Sequence, residues 1–225
     1  MDIILPEGHC CLVVDDGTQL AQLTVQRLEQ RGWPVVVLCL PQAVVPRRQA
    51  WSESTHRVQL DDLSEDRLQA ALADAASRFG PVAVLIHLHP DCHACQGEGL
   101  HFTDTSKQVL QVVFLAAKYL KESLNKAAHL GRAAFMTVVR LDGEFGLGDR
   151  VDYDPISGGL FGLVKSLNLE WESVFCRAVD LDPEIDAVQA ADYLMAELMD
   201  PNRRLVEVGY SSKGRATLVL EAAMA

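Results

Sequence analysis

CCLVVDDGTQLAQLTVQRLEQRGWPVVVLCL, residues 10–40, reads as strand, tight turn, helix and strand, and it decides the fold. Its two apolar runs, Cys10 to Val14 and Val35 to Leu40, are short and rich in β-branched residues, the pattern of strands buried on both faces of a parallel sheet. Between them Leu20, Leu23, Val25 and Leu28 approximate helical spacing, and Gly32 stands where a helix stops. This is a βαβ unit of the nucleotide-binding kind with an altered turn. A dinucleotide site needs glycines, as in GxGxxG, so that backbone amides can close on a pyrophosphate at the helix N-terminus. Here the turn is Asp15-Asp16-Gly17-Thr18, with one glycine and two carboxylates. The carboxylates suit the positive end of a helix dipole and repel a phosphate. Strand two ends in Leu40-Pro41 without the acidic or basic residue that would hold a ribose or its phosphate, and Arg47 and Arg48 read as a solvated loop pair. The expectation is a Rossmann-like unit with a degenerate cofactor site.

The rest of the chain repeats the alternation. A short strand is expected near His56 to Leu60, and Asp61 to Ser64 open a helix that runs through Phe79, where Gly80-Pro81 ends it. A buried strand covers Val82 to Leu88, a long helix about Asp104 to Ala128, and a fifth strand Ala133 to Leu141. The loop from Asp142 to Asp154 carries Gly143, Gly146 and Gly148 but opens no helix, so it is not read as a phosphate loop. A glycine-rich helix is expected over Pro155 to Trp171, a strand over Phe175 to Leu181, and a helix from about Ile185 to Met199. Leu205 to Tyr210 and Ala216 to Leu220 supply the last strands. Strands alternating with helices predict an α/β fold, a doubly wound and mainly parallel sheet forming a single domain over residues 1–225.

Composition narrows the function classes. With 225 residues, 20 basic and 31 acidic, the net charge is −11, which argues against nucleic acid as a partner. No apolar run reaches the length of a membrane span and no signal-peptide pattern opens the sequence, so a cytoplasmic location is expected. Cys10, Cys11, Cys39 and Cys176 fall within predicted core strands and read as free thiols of a reducing compartment.

Two constellations carry chemistry-bearing residues. His87, His89, Asp91, Cys92, His93 and Cys95 crowd the end of the fourth strand, a spacing that allows a zinc or redox module. A closed zinc site usually joins pairs from two separated segments, and no second Cys/His pair exists in the chain, so no metal is expected. The other constellation is reductase-like, since a tyrosine with a nearby lysine and serine protonates a carbonyl oxygen in short-chain reductases. Tyr153 stands near the required place, but Ser157 occupies the position of the lysine, Lys165 lies further along the helix, and the fifth strand ends Val138-Val139-Arg140-Leu141 without the serine. No catalytic, cofactor-binding or metal-binding residue is therefore assigned.

The segments LVVDDGTQLAQ, VLIHLHP, AAKYLKESLNKAAHLGRAAFMTVVRLDG, GGLFGLVKSLNLEWESVFCRAVDL and VEVGY, spread from Leu12 to Tyr210, resemble the ketoreductase domain of polyketide synthase-like multienzymes, most of all the polyunsaturated fatty acid synthase of marine bacteria. The resemblance is to the N-terminal, structural half of that domain. It implies a non-catalytic subdomain of a 3-oxoacyl-ACP reductase region in fatty acid biosynthesis, with no cofactor of its own and NADPH in a catalytic half downstream. The implied partners are that catalytic half, other synthase domains including the acyl carrier protein, and a second copy in a homodimer. It further implies that the chain is an excised fragment beginning at an added Met1. The alternatives are an intact NADPH-dependent short-chain reductase with a degenerate motif, or a Cys/His metal or redox module. Gly158, Gly159 and Gly162 lie together on the helix, and with Leu160, Phe161, Leu163 and Val164 around them they predict a partly exposed apolar contact surface.

Overall fold

In the computed structural model, residues 3–90, 104–148 and 155–219 are described. In chain order the elements are β1 (Cys10–Asp15), α1 (Gln19–Gln30), β2 (Val35–Cys39), β3 (His56–Gln59), α2 (Glu65–Phe79), β4 (Val82–Leu88) and α3 (Asp104–Ala127). Then follow β5 (Ala134–Val139), a 3-10 turn (Pro155–Gly158), α4 (Gly159–Glu170), β6 (Phe175–Leu181), α5 (Ala187–Leu198), β7 (Glu207–Ser211) and β8 (Gly214–Ala216). The strands form one sheet in the order β3-β2-β1-β4-β5-β6-β7-β8, parallel except for the β7–β8 hairpin. The fold is a Rossmann-like doubly wound α/β sheet.

Burial explains why these runs became strands. Every residue of β1, β2, β4, β5 and β6 is buried, as expected where helices cover both faces. On one face α1 and α5 lie side by side, with Leu20, Val25, Leu28, Leu194 and Leu198 against Val13, Val37 and Ile86. On the other face α2, α3 and α4 bring Leu72, Val113, Leu120, Leu160 and Val164 against Leu12, Leu85 and Phe135. Cys10, Cys11, Cys39 and Cys176 are buried free thiols within this core. Burial lifts the Cys10 and Cys39 thiols to about 11 and Cys176 to about 12, which makes them inert packing groups. Strand order reverses between β1 and β4, so the crevice of an open α/β sheet lies above their C-terminal ends.

Three sequence expectations change in detail. The helix expected from Pro155 begins as a 3-10 turn and becomes α-helical only at Gly159. The final strand is Gly214–Ala216, a short antiparallel return after the Ser211–Gly214 turn, and not Ala216 to Leu220. Leu160, Phe161 and Val164 are buried in the domain's own core, and Leu163 is half-buried against it. The apolar surround expected to be partly exposed is thus mostly used internally.

One charged cluster is built into the face that carries α5. Arg177 on β6 is fully buried and pairs with Glu197 of α5 and, at 3.2 Å, with Asp200. Glu197 also accepts from Tyr210 Oη and from Arg215 Nε at 2.6 Å, so one carboxylate ties β6, α5, β7 and β8 together. Removing it leaves two guanidiniums short of their partner. Glu197→Ala is expected to cost about 3–5 kcal/mol by chemical denaturation, well beyond an exposed control such as Glu122→Ala, whose pair with Lys126 lies at the surface.

Candidate functional site at the carboxyl edge of the sheet

The β1–α1 turn occupies the place of a phosphate cradle, and its amides are already engaged. Asp15 Oδ1 accepts the Gly17 amide at 2.7 Å, Asp16 Oδ1 accepts the Thr18 amide at 3.0 Å, and Thr18 Oγ1 caps the helix by accepting from Leu20 N at 3.2 Å. Asp15 ends a fully buried strand and is itself buried. Its second oxygen accepts from Trp51 Nε1 at 3.2 Å and faces Arg48 Nε at 3.7 Å. Arg48 is therefore turned inward onto a carboxylate instead of standing in solvent as a loop pair, and it also donates to the Leu40 carbonyl and to Gln59. Arg47 is exposed.

The segment between β2 and β3 closes over this turn. Gln49 N donates to the Gly17 carbonyl at 3.1 Å, and Gln22 Nε2 reaches the Ala50 carbonyl at 2.6 Å. Gly17 adopts φ +82°, and a Cβ there would lie 2.4 Å from Val45 Cγ1 and 2.5 Å from the Arg47 carbonyl oxygen. Glycine is required for the closeness of the covering loop as well as for the backbone angle. Burial pushes the Asp16 carboxyl above the usual carboxylate range, against its bonds to Thr18 and the field of Arg140. Two buried carboxylates and spent amides disfavour an anion at this point.

The same chemistry recurs at β5 and β6. Asp142 accepts the amides of Glu144 and Gly146 at 2.8 Å and of Gly148 at 2.9 Å, which shapes the glycine loop around a carboxylate. Asp180 accepts the amides of Leu141 and Phe145, both at 2.8 Å. The two carboxyl groups lie close enough to perturb each other. Burial lifts Asp180 to about 6, and its neighbour Asp142 adds to the rise. Burial also acts upward on Asp142, but its three amides and the Asp180 contact hold it below the usual value. Asp180 is thus the member of the pair that takes up a proton first as the pH falls.

At the end of β4, His87 is buried and bonded to His89, Nε2 to Nδ1 at 3.2 Å. Burial, reinforced by His89, depresses the His87 imidazole well below its ordinary 6.5. Asp91, Cys92, His93 and Cys95 lie outside the described residues, as does Tyr153. Among the described residues no group of three or more His, Cys, Asp or Glu is arranged to hold a metal ion. Ser157 is buried at the start of α4, and Lys165 lies on the far stretch of the helix, paired with Glu207 at 3.0 Å. Sequence reading missed Trp51 and the Asp142–Asp180 pair. The spacing of Asp142 from amides two and four residues on was a local signal for the loop, whereas Trp51 reaches Asp15 through the fold alone.

No protein-family model matches the chain. Over 210 residues it is 32% identical to a polyunsaturated fatty acid synthase subunit of Thraustochytrium sp. strain ATCC 26185 / S-3, which takes in 91% of the chain. The chain is similar to one segment of that protein. It spans 7% of the length of that relative. Among solved structures it superposes on a 3-ketoacyl-(acyl-carrier-protein) reductase from Brucella melitensis complexed with NADH, with a TM-score of 0.63 at 18% identity, covering 87% of this chain and 92% of that one. A blue fluorescent protein from a metagenomic library in complex with NADPH gives 0.64 at 14% identity, covering 88% and 94%. A short-chain dehydrogenase/reductase from Serratia marcescens gives 0.59 at 17%, covering 86% and 90%. These likenesses establish the fold. No helix among the described residues is long and apolar enough to cross a membrane.

The buried groups predict a pH profile with two opposing parts. His87 stays neutral in the fold while the unfolded chain takes up a proton near 6.5, so its contribution is full above 6.5 and falls as the pH drops below it. Asp180 holds its proton up to about 6 against 3.8 unfolded, so its contribution is full below 3.8 and is lost as the pH rises through 6. Urea midpoints measured between pH 3.8 and 6.5 should therefore fall less steeply with acid in His87→Asn, and more steeply in Asp180→Asn, than in the parent chain.

Proposed function

We propose that the chain is a single non-catalytic, structural subdomain of the 3-ketoacyl-ACP reductase region of a polyunsaturated fatty acid synthase-like multienzyme, supporting an NADPH-dependent catalytic half. The observation that carries this reading is the Asp15 carboxylate, which takes the Gly17 amide, the Trp51 indole and Arg48 in the place where a dinucleotide needs free amide donors. The residues present do not fit NADPH: the turn amides are engaged, two carboxylates oppose a pyrophosphate, and Val45 and Arg47 press on Gly17. Ser157 in place of a lysine, four residues after Tyr153, removes the group that would lower the tyrosine's pKa. The similarity to part of a synthase supports the multienzyme context, and the reductase fold supports descent from a catalytic ancestor.

Calorimetric titration tests the first part directly. NADPH should give no saturable heat up to about 1 mM, whereas a Kd in the micromolar range overturns the reading.

The supporting role also needs a surface. Gly158 and Gly162 have no atom within 4 Å of where a Cβ would stand, so α4 presents a smooth open strip. Leu169 at 83% exposure and Phe114 of α3 at 57% are large apolar groups left on these helices. In our reading α3 and α4 pack against the catalytic half. Because a Cβ at either glycine meets no atom within 4 Å, Gly158→Leu/Gly162→Leu should keep the far-ultraviolet circular dichroism of the parent. It should also weaken co-purification with a co-expressed catalytic half at least about tenfold. Undiminished association removes this helix from the interface.

A further inference from the structure

At the opposite edge of the sheet, below the N-terminal ends of β5 and β6, lies a cavity of about 480 Å³. Its polar wall is Arg132, Arg203, His129 and Ser173, and its apolar wall includes Ile4, Leu130 and Phe175. Ile4 and Leu130 are 58% and 66% exposed, so the mouth is lined by large apolar side chains that the core does not use. In a chain of net charge −11 this is a local concentration of positive charge.

Both guanidiniums are held in place before any ligand arrives. Arg132 has its Cζ over the Phe175 ring, 4.2 Å from the centroid, and donates through Nη2 to the Asp200 carbonyl at 2.7 Å. Arg203 donates through Nη2 to the carbonyls of Glu172 at 2.8 Å and Val174 at 3.1 Å. Their anchors are ring faces and carbonyl oxygens, none of which neutralises a full positive charge. The nearest carboxylate, Asp200, already pairs with Arg177 and Arg215, each at 3.2 Å. Arg132 Nε is buried and has no hydrogen-bond partner among the described residues. Burial, with the fields of Arg203 and Arg177, brings the Arg132 guanidinium down to about 10, as for a cation taken out of water beside other cations.

We propose that this cavity is a binding site for a small amphipathic anion, a carboxylate or phosphate monoester on an aliphatic arm. The head group accepts from Arg132 and Arg203, and the arm lies along Ile4 and Leu130. A guanidinium fork with fixed geometry suits planar or tetrahedral oxyanions, and an anion relieves the repulsion between the two arginines. The site is on the far edge of the sheet from the β1–α1 turn, so it stands independently of the proposed supporting role.

Octyl phosphate and octanoate serve as probes, with inorganic phosphate and octanol as the head and arm alone. Binding is followed by calorimetry and by the side-chain Nε–H resonances of the arginines. We expect both amphiphiles to bind with Kd below about 1 mM, each isolated part to bind at least about tenfold more weakly, and the Arg132 Nε–H signal to shift on saturation. Arg203→Gln, at an exposed residue, should weaken the amphiphiles by about tenfold in a chain that circular dichroism shows folded. Arg132→Gln removes a core-edge contact as well, so its reading is the loss of binding under conditions where circular dichroism shows it folded. Absence of binding by both amphiphiles, or equal affinity in Arg203→Gln, overturns the proposal. Octanol binding as tightly as octyl phosphate overturns it too, since the cavity is then merely greasy.

Discussion

Carboxylates of the chain itself accept the amide protons of the loops at the C-terminal edge of the sheet, and the rest of that edge depends on this. A parallel strand ends abruptly, and the loop that follows has backbone donors that must be met by protein, water or ligand. Asp15, Asp16, Asp142 and Asp180 meet them from within. Each buried amide left unmet would cost about 1–3 kcal/mol, so the acids that meet them shape these loops. Where a helix N-terminus binds a phosphate, the corresponding backbone donors point at the ligand. Here an acceptor inside the turn takes the amide, and the covering segment at Val45 and Arg47 closes on Gly17.

The two ends of the sheet consequently differ in charge. The carboxyl edge collects buried acids, with Arg48 and Arg140 as the cations nearest to them. The other edge and the adjoining α5 face collect arginines, where Arg177 and Arg215 share Glu197 and Asp200, and Arg132 and Arg203 lean on a ring and on carbonyls. Between them the core is nearly all aliphatic, so the charged groups cannot relieve one another across it. The polarity belongs to side chains alone and adds to whatever fields the helices contribute.

Much of this was legible in the sequence. β6 was readable to the residue although Arg177 and Asp180 interrupt its apolar run, and α2 from the acids after Ser64 and the glycine at its end. The altered turn at Asp15 was legible too, because glycine count and charge sign are local properties. What was hidden is non-local. Nothing near Arg48 or Trp51 in sequence marks them as partners of Asp15, since the segment that carries them folds back only once β2 and β3 are paired. Leu160, Phe161 and Val164 looked too numerous for one buried stripe, yet α4 enters a deep seam against β5, β6 and α3 and buries a broad arc. The antiparallel return at β8 was misjudged because Lys213-Gly214 makes the turn early, at Gly214 with φ +105°, which places the pairing residues before the apolar run at Thr217 to Val219 and not within it.

Strand order has a consequence for synthesis. β1 is flanked by β2, which follows it closely, and by β4, which is made only after β3 and α2. On a growing chain β1 and β2 can pair early, but the other margin of β1 keeps its row of donors and acceptors uncovered until residues 82–88 emerge. That margin is apolar from Cys10 to Val14, with no charge before Asp15 to discourage a wrong neighbour. Non-local pairing of this kind is slow because the intervening chain must first be gathered in. The nascent polypeptide is therefore most vulnerable to mispairing between the emergence of β1 and that of residues 82–88, and the arrival of β4 is the event that ends the exposure.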